Sequence, residues 1–273
     1  QFRLGLSQTI ARPTFRELSP TLFVDPDTDR VVAGSLYLEN SEIDNFDFRA
    51  EYYFNPNQFI TAGIFKKNIN KPIEETVNEI GDLIVTTYQN VPKAELSGFE
   101  FEYERTFDGF NSAWALTKEF MVKFNYTLTE SEIIVEAGET YLNSGGVITS
   151  AASLLANGRD SRLQGQADNI VNIQLGYDDY ATNSQATLII NHVSDRVRAR
   201  GLDVLPDIIE QIPTTIDFVY GREFELDTTI LKISLEIRNL LDDDYEATMA
   251  NSAIFYDQYQ LGTSASVGFK LSF

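Results

Sequence analysis

The chain is 273 residues long, carries no cysteine and has a formal net charge of −20 at pH 7. That balance excludes a disulfide framework or a thiolate metal site, and it argues against a basic footprint for DNA or RNA. Hydrophobic residues make up 43% and aromatics 12%, so the acidity does not imply disorder, while no run of about 18 apolar residues marks a transmembrane helix.

The chain opens inside a strand, residues 2–10, with no Met and no signal peptide, which reads as a truncated or processed start. Its dominant period is two, the period of a strand with one apolar and one polar face. Phe46, Phe48, Ala50, Tyr52 and Phe54 alternate with Asp47, Arg49, Glu51 and Tyr53. Residues 58–69 form a less regular strand. Phe99, Phe101 and Tyr103 alternate with Glu100, Glu102 and Glu104, and Phe120, Val122, Phe124, Tyr126 and Leu128 with Met121, Lys123, Asn125 and Thr127. Val171, Ile173, Leu175 and Tyr177 follow, then residues 185–193 with Leu188 and Ile190 on one face. Ile216, Phe218 and Tyr220 precede Leu231, Ile233, Leu235 and Ile237, which alternate with Lys232, Ser234, Glu236 and Arg238. The last strand is read as one continuous run, 259–273, with Tyr259, Leu261, Val267, Phe269, Leu271 and Phe273 on one face. That makes about ten strands, long enough to cross a bilayer at a tilt.

The connections alternate in length. Tight turns are expected at 55–57, 107–116, 177–184 and 220–227; long loops at 12–42, 70–91, 130–165, 199–211 and 240–257. Short turns at one end and long loops at the other predict an all-β fold, an antiparallel transmembrane β-barrel with periplasmic turns and extracellular loops. The descending strands then end on Tyr52, Phe54, Phe107, Tyr177, Tyr220 and Phe273, and the first five predict a periplasmic aromatic girdle. A soluble β-sandwich binding protein has the same period, but not this loop parity.

At this point the residues resemble a known family. Thr9-Ile-Ala-Arg-Pro-Thr-Phe-Arg-Glu-Leu-Ser-Pro20, the 45–54 stretch with Glu51-Tyr-Tyr-Phe54, Leu96-Ser-Gly-Phe-Glu-Phe-Glu102, Ile237-Arg-Asn-Leu-Leu-Asp-Asp-Asp-Tyr245 and the strand ending in Phe273 are together similar to the C-terminal part of a TonB-dependent outer-membrane receptor. The resemblance implies a Gram-negative outer-membrane location and a barrel of about 22 strands closed by a plug. It implies energy-dependent uptake of a ferric siderophore, a corrin or an oligosaccharide. Residues 1–273 would be one partial barrel domain, the last ten strands, with the plug, the TonB-coupling segment and the earlier strands absent. Partners implied are the lipid bilayer and lipopolysaccharide, the barrel-assembly machinery, the TonB complex through that missing region, and a small-molecule or saccharide ligand. Phe269, Leu271 and Phe273 would form the C-terminal assembly signal.

No catalytic constellation, cofactor motif or metal-ligand spacing stands out. A stand-alone ten-stranded outer-membrane barrel, a hydrolase or an adhesin, remains the alternative. A hydrolase would need acidic residues and a histidine in the upper lumen, yet His192 shares parity with Leu188 and Ile190 and reads as interfacial. The Glu100, Glu102, Glu104 row reads as a polar lumen face rather than a cation path, with Lys232, Glu236 and Arg238 pairing across strands. Asp242, Asp243 and Asp244 lack the EF-hand register and read as turn residues. Arg196, Arg198 and Arg200 are the candidate extracellular contacts, to an anionic ligand or to lipopolysaccharide phosphates.

Overall fold

The computed structural model describes residues 1–26, 30–56, 58–80, 83–108 and 117–273. The expected turns at 55–57 and 107–116 lie partly outside these residues. Ten long strands form the wall: β1 (Phe2–Ala11), β2 (Ser41–Asn55), β3 (Gln58–Asn70), β4 (Lys93–Asp108), β5 (Lys118–Ile134), β6 (Asn169–Asp179), β7 (Ser184–Val193), β8 (Thr215–Leu226), β9 (Thr229–Arg238) and β10 (Ser264–Ser272). Each hydrogen-bonds its neighbours in chain order, so one ten-stranded antiparallel meander results. Among the described residues β1 and β10 do not pair with each other, and the sheet has two free edges.

Register explains why the period of two holds so well. Successive strands pair so that one parity class stays on one face across the whole sheet. Phe101, Tyr126, Val171 and His192 stand opposite one another in turn across β4 to β7. Val122, Leu175, Leu188, Phe218, Ile237 and Ala265 form the next such row, from β5 to β10. A slip of one residue in any pair would break this face. The opposite face carries Glu102, Asn125, Asn172, Asn191 and Thr215 in one row. Asn172 donates to Asn125 at 3.3 Å, and Asn191 to Thr215 at 3.3 Å.

Ion pairs populate this polar face. Arg49 contacts Glu51 at 3.3 Å and Glu102 at 3.1 Å, Lys123 contacts Glu104 at 2.8 Å, and Lys232 contacts Glu223 at 3.1 Å. The acidic row on β4 is thus interleaved with cations. Arg238 pairs with Glu236 at 2.6 Å.

The aromatic residues expected at the periplasmic end all stand in the apolar parity class. Phe107 is opposite Phe120, which is opposite Tyr177. The Phe120 and Tyr177 rings lie 5.3 Å apart, and Tyr52 meets Phe54 edge to face at 5.1 Å. Arg105, in the same class, lies 4.7 Å over Phe54 and 5.2 Å over Phe107.

The structure adds to the sequence reading in the loops and differs from it at the last strand. The long connections carry strands of their own. Eight of their segments build a second sheet, in the order Phe255–Tyr259, Tyr245–Met249, Ile208–Gln211, Arg196–Gly201, Ile73–Ile80, Leu83–Asn90, Val31–Val32 and Phe23–Val24. Two of its junctions are parallel pairings of only two residues each, between chain segments far apart. Such contacts leave no local hairpin signal. Nor is the last strand continuous. It breaks at residues 260–263, where Gly262 takes φ +69°, a left-handed conformation suited to glycine. Asn239 fixes the break: its side chain donates to the Gly262 carbonyl at 3.2 Å, and its own carbonyl accepts from the Thr263 hydroxyl at 2.8 Å. Tyr259 therefore belongs to the loop sheet rather than to the wall.

The dry core also sits in these loops. One cluster joins Val77, Ala199, Ile208, Tyr245, Ala247 and Tyr256; a second joins Val91, Ile133, Tyr141, Ala151 and Leu154. Among the described residues the wall is a single sheet, mostly half-exposed or exposed, and Ala94, Leu96 and Ile133 are buried at its outer end, where the loops pack.

Candidate ligand site in the outer loops

Strand Arg196–Gly201 follows β7 after a two-residue break and places its arginines in three different environments. Arg200 is fully buried. Its Nε donates to Glu74 at 2.6 Å, Nη1 to the Asp160 carbonyl at 2.6 Å and Nη2 to the Arg162 carbonyl at 2.9 Å. Burial works against its charge, but the Glu74 carboxylate beside it wins and holds the guanidinium above its ordinary range. Arg200 is thus removed from the expected trio of ligand contacts. Its donors are taken up by two other segments of the loops, at Glu74 and at residues 160–162, which it ties to its own strand.

Arg196 and Arg198 remain partly exposed, with side chains 31% and 24% accessible. They line a cavity of about 900 Å³ with Glu210, Ile212, Pro213, Tyr245, Asp257, Tyr259 and Leu261. A hydrogen-bonded chain runs along its wall. Asp257 accepts from Arg198 at 3.1 Å, Arg198 also donates to the Tyr245 hydroxyl at 3.0 Å, and Tyr245 donates to Glu210 at 2.8 Å. Glu210 in turn pairs with Arg196. Burial, then the bond to Glu210, pushes the Tyr245 hydroxyl well above the ordinary tyrosine range, so it stays a neutral donor. Burial lowers the Arg198 guanidinium, but Tyr245 and Asp257 outweigh it and hold it above its ordinary range.

Tyr259 lies opposite Tyr245 in the strand pair, with rings stacked at 4.5 Å and 16°. Tyr245 is 8% exposed and Tyr259 50%, so one ring backs the other and presents it to the cavity. Behind this wall, Arg30 lies 3.7 Å over the buried Tyr256 ring. Burial pushes the Glu75 carboxyl up, with Arg198 and Arg16 pulling it back. Arg16 comes from a single helical turn, Phe15–Leu18, held by a capping box in which Thr14 and Glu17 satisfy each other's backbone amides. It pairs with Asp25.

The remaining sequence candidates lie elsewhere. His192 is exposed at the outer end of β7 and shares a 2.8 Å hydrogen bond with the Thr214 hydroxyl. The nearby Asp195 is taken by Arg162 at 3.2 Å. Asp242 occupies the turn with φ 57°, its backbone N–H bonded to the Asn239 carbonyl. Phe269 and Leu271 stand exposed on the apolar face of β10, and Phe273 follows at 98% exposure. Sequence reasoning missed Glu210, Asp257 and Tyr259 as cavity residues. The first two lie in short loop strands without clean alternation, and Tyr259 was read into the lipid-facing row.

A meander of ten long antiparallel strands, with one face largely apolar and the other polar and ion-paired, is the wall of an outer-membrane β-barrel. The family model for the TonB dependent receptor-like β-barrel matches residues 1–203. The chain belongs to this family of receptors and transporters, and its location is the Gram-negative outer membrane. In fold it is similar to the outer membrane transporter YddB from Escherichia coli: 12% identity, 89% of this chain and 34% of that one, TM-score 0.53. It is also similar to a mutant of the ferric enterobactin receptor PfeA from Pseudomonas aeruginosa in complex with enterobactin, at 14% identity, 99% of this chain, 38% of that one and TM-score 0.54. A further PfeA structure matches at 15% identity over 99% of this chain and 38% of that one, TM-score 0.52. The chain thus spans little more than a third of the length of the solved structures it matches. No curated protein matches it in sequence.

Proposed function

We propose that the chain forms part of the wall, and the ligand-capturing outer loops, of a receptor that imports a scarce nutrient with energy from the TonB complex. The observation that carries this reading is the loop sheet: four of the five long connections supply its eight strands, and a cavity of about 900 Å³ with converging Arg, Tyr, Glu and Asp side chains opens against it. A mobile fringe of loops would not have its own core. In this reading the ten strands are a contiguous arc of a larger barrel, which the unpaired edges of β1 and β10 support. The role in this reading is capture and passage, in keeping with a family of receptors.

The outward partners follow from the faces. The apolar face meets lipid, and Tyr52, Phe54, Phe107, Tyr177 and Tyr220 act as the periplasmic girdle, with Arg105 reaching toward headgroups. Outside, the loops lie against lipopolysaccharide. Phe269, Leu271 and Phe273 act as the signal read by the barrel-assembly machinery; removing Phe273 should lower the folded, heat-modifiable fraction in the outer membrane.

The uptake reading is tested in a Gram-negative host expressing the intact receptor, with and without functional TonB. Labelled ferric siderophores, cobalamin and oligosaccharides are supplied in turn. TonB-dependent accumulation of one class is expected. Accumulation indifferent to TonB, or none of any class, would sink it.

A further inference from the structure

We propose that the cavity walled by Tyr259, Arg198 and Asp257 takes a neutral, polyhydroxylated ligand of the oligosaccharide class. This rests on the receptor reading above and names the substrate class for its cavity.

Charge is the first argument. Both arginines at the cavity are matched by carboxylates, Arg196 by Glu210 and Arg198 by Asp257, so the wall offers no surplus positive charge. Glu75 stands behind Arg198, and the whole chain carries −20. An anionic ferric complex would approach against that field. To gain an arginine it would have to displace a carboxylate, leaving Glu210, whose side chain is only 11% exposed, with the Tyr245 hydroxyl but no counter-ion. A neutral ligand meets neither obstacle.

Shape and hydrogen-bonding capacity are the second. The half-exposed Tyr259 ring, held flat by the buried Tyr245, is a rigid apolar platform with the exposed Leu261 beside it. A pyranose ring presents a flat C–H face and a rim of hydroxyls, each both donor and acceptor. The C–H face suits the platform. The rim suits paired guanidinium and carboxylate groups, which offer donors and acceptors side by side. A wholly apolar ligand would strip water from those charged pairs and return no hydrogen bonds.

The intact receptor in detergent is bound to an array of neutral and acidic oligosaccharides, and separately titrated with a ferric catecholate, ferric citrate and cobalamin. Neutral glycans should bind, with affinity changing less than about twofold between low and physiological salt, since no net charge is neutralised. Tyr259→Ala should weaken that binding about tenfold or more, and Tyr259→Phe should keep it within about threefold, with heat-modifiable gel mobility unchanged in both. Asp257→Asn should weaken neutral-glycan binding too. High-affinity binding of a ferric complex or an acidic glycan that falls on Arg198→Gln would overturn the proposal and leave the receptor reading standing. Failure of every neutral glycan would also overturn it. Loss of the receptor reading shows differently, as no TonB-dependent accumulation of either class.

Discussion

Arg200 is the residue whose removal should have the largest effect on the loop sheet. Its guanidinium and the Glu74 carboxylate are both fully enclosed, 2.6 Å apart, with the Asp160 and Arg162 carbonyls closing the remaining donors. Glu74 also accepts from the Gln164 amide at 3.1 Å. Arg200→Ala leaves Glu74 buried without its counter-ion and strands two carbonyls. Breaking a buried pair from one side costs about 3–5 kcal/mol. At about 1.4 kcal/mol per decade, opening of the loop sheet should become roughly a hundred to several thousand times more frequent. Hydrogen exchange read by mass spectrometry is the assay, followed at the Gln164, Glu75 and Gly201 amides. These donate to Glu74, to the Gln164 side chain and to Asp207 respectively. The wall amides of β5 to β7 should not change. Arg200→Met together with Glu74→Leu should restore most of the protection, because neither charge is then buried alone. Arg196→Met, at the partly exposed pair with Glu210, should cost much less, on the order of 1 kcal/mol. If Arg200→Ala changes protection by less than about fivefold, or the double variant is as loose as the single one, the pair does not hold the loops together and the reasoning fails.

Three further outcomes follow from other parts of the structure. Ile190→Arg puts a charge on the apolar face of β7 and should cost about 2–4 kcal/mol with poor membrane assembly, whereas Asn191→Arg on the adjacent polar face should fold nearly as the parent; urea titration in lipid vesicles compares them. Burial raises the Glu75 carboxyl above its ordinary range, so the folded sheet holds that proton more tightly than the unfolded chain does. Its contribution is fully present below the ordinary carboxylate value and fades as pH rises through the raised one; Glu75→Gln should flatten this dependence in exchange protection at Tyr88, corrected for intrinsic rates. Gly201→Ala would bring a Cβ within 2.2 Å of the Leu205 carbonyl and 2.3 Å of the Pro206 carbonyl. It should cost about 1–3 kcal/mol or more, measured as new protease cleavage in residues 201–207.

The wall was legible because it is built from local rules. Each strand must satisfy lipid on one side and water on the other, so every second residue is apolar, and antiparallel neighbours in chain order need no distant information to pair. Phe46 to Phe54, Phe120 to Leu128 and Leu231 to Ile237 state that constraint in their own residues. The same alternation was too permissive at 259–273. Tyr259 and Leu261 keep the parity of β10, and only the turn at Gly262, bonded through Asn239, shows that the chain leaves the wall before them.

Tertiary structure alone decided the loops. Arg196, Arg198 and Arg200 share one parity and one residue type, yet one is enclosed with Glu74 from far up the chain and two face a cavity. Which guanidinium is enclosed depends on carboxylates brought in by one parallel pairing of two residues, by the neighbouring 208–211 strand and by a hairpin from the last connection. The sequence by itself determined the long wall strands, their faces and the loop parity, because those follow from spacing along the chain, and its motifs carried the resemblance to the family. It could not determine that the outer connections share a core, or that Tyr245 and Tyr259 meet, since those depend on contacts between segments whose separation leaves no periodic trace.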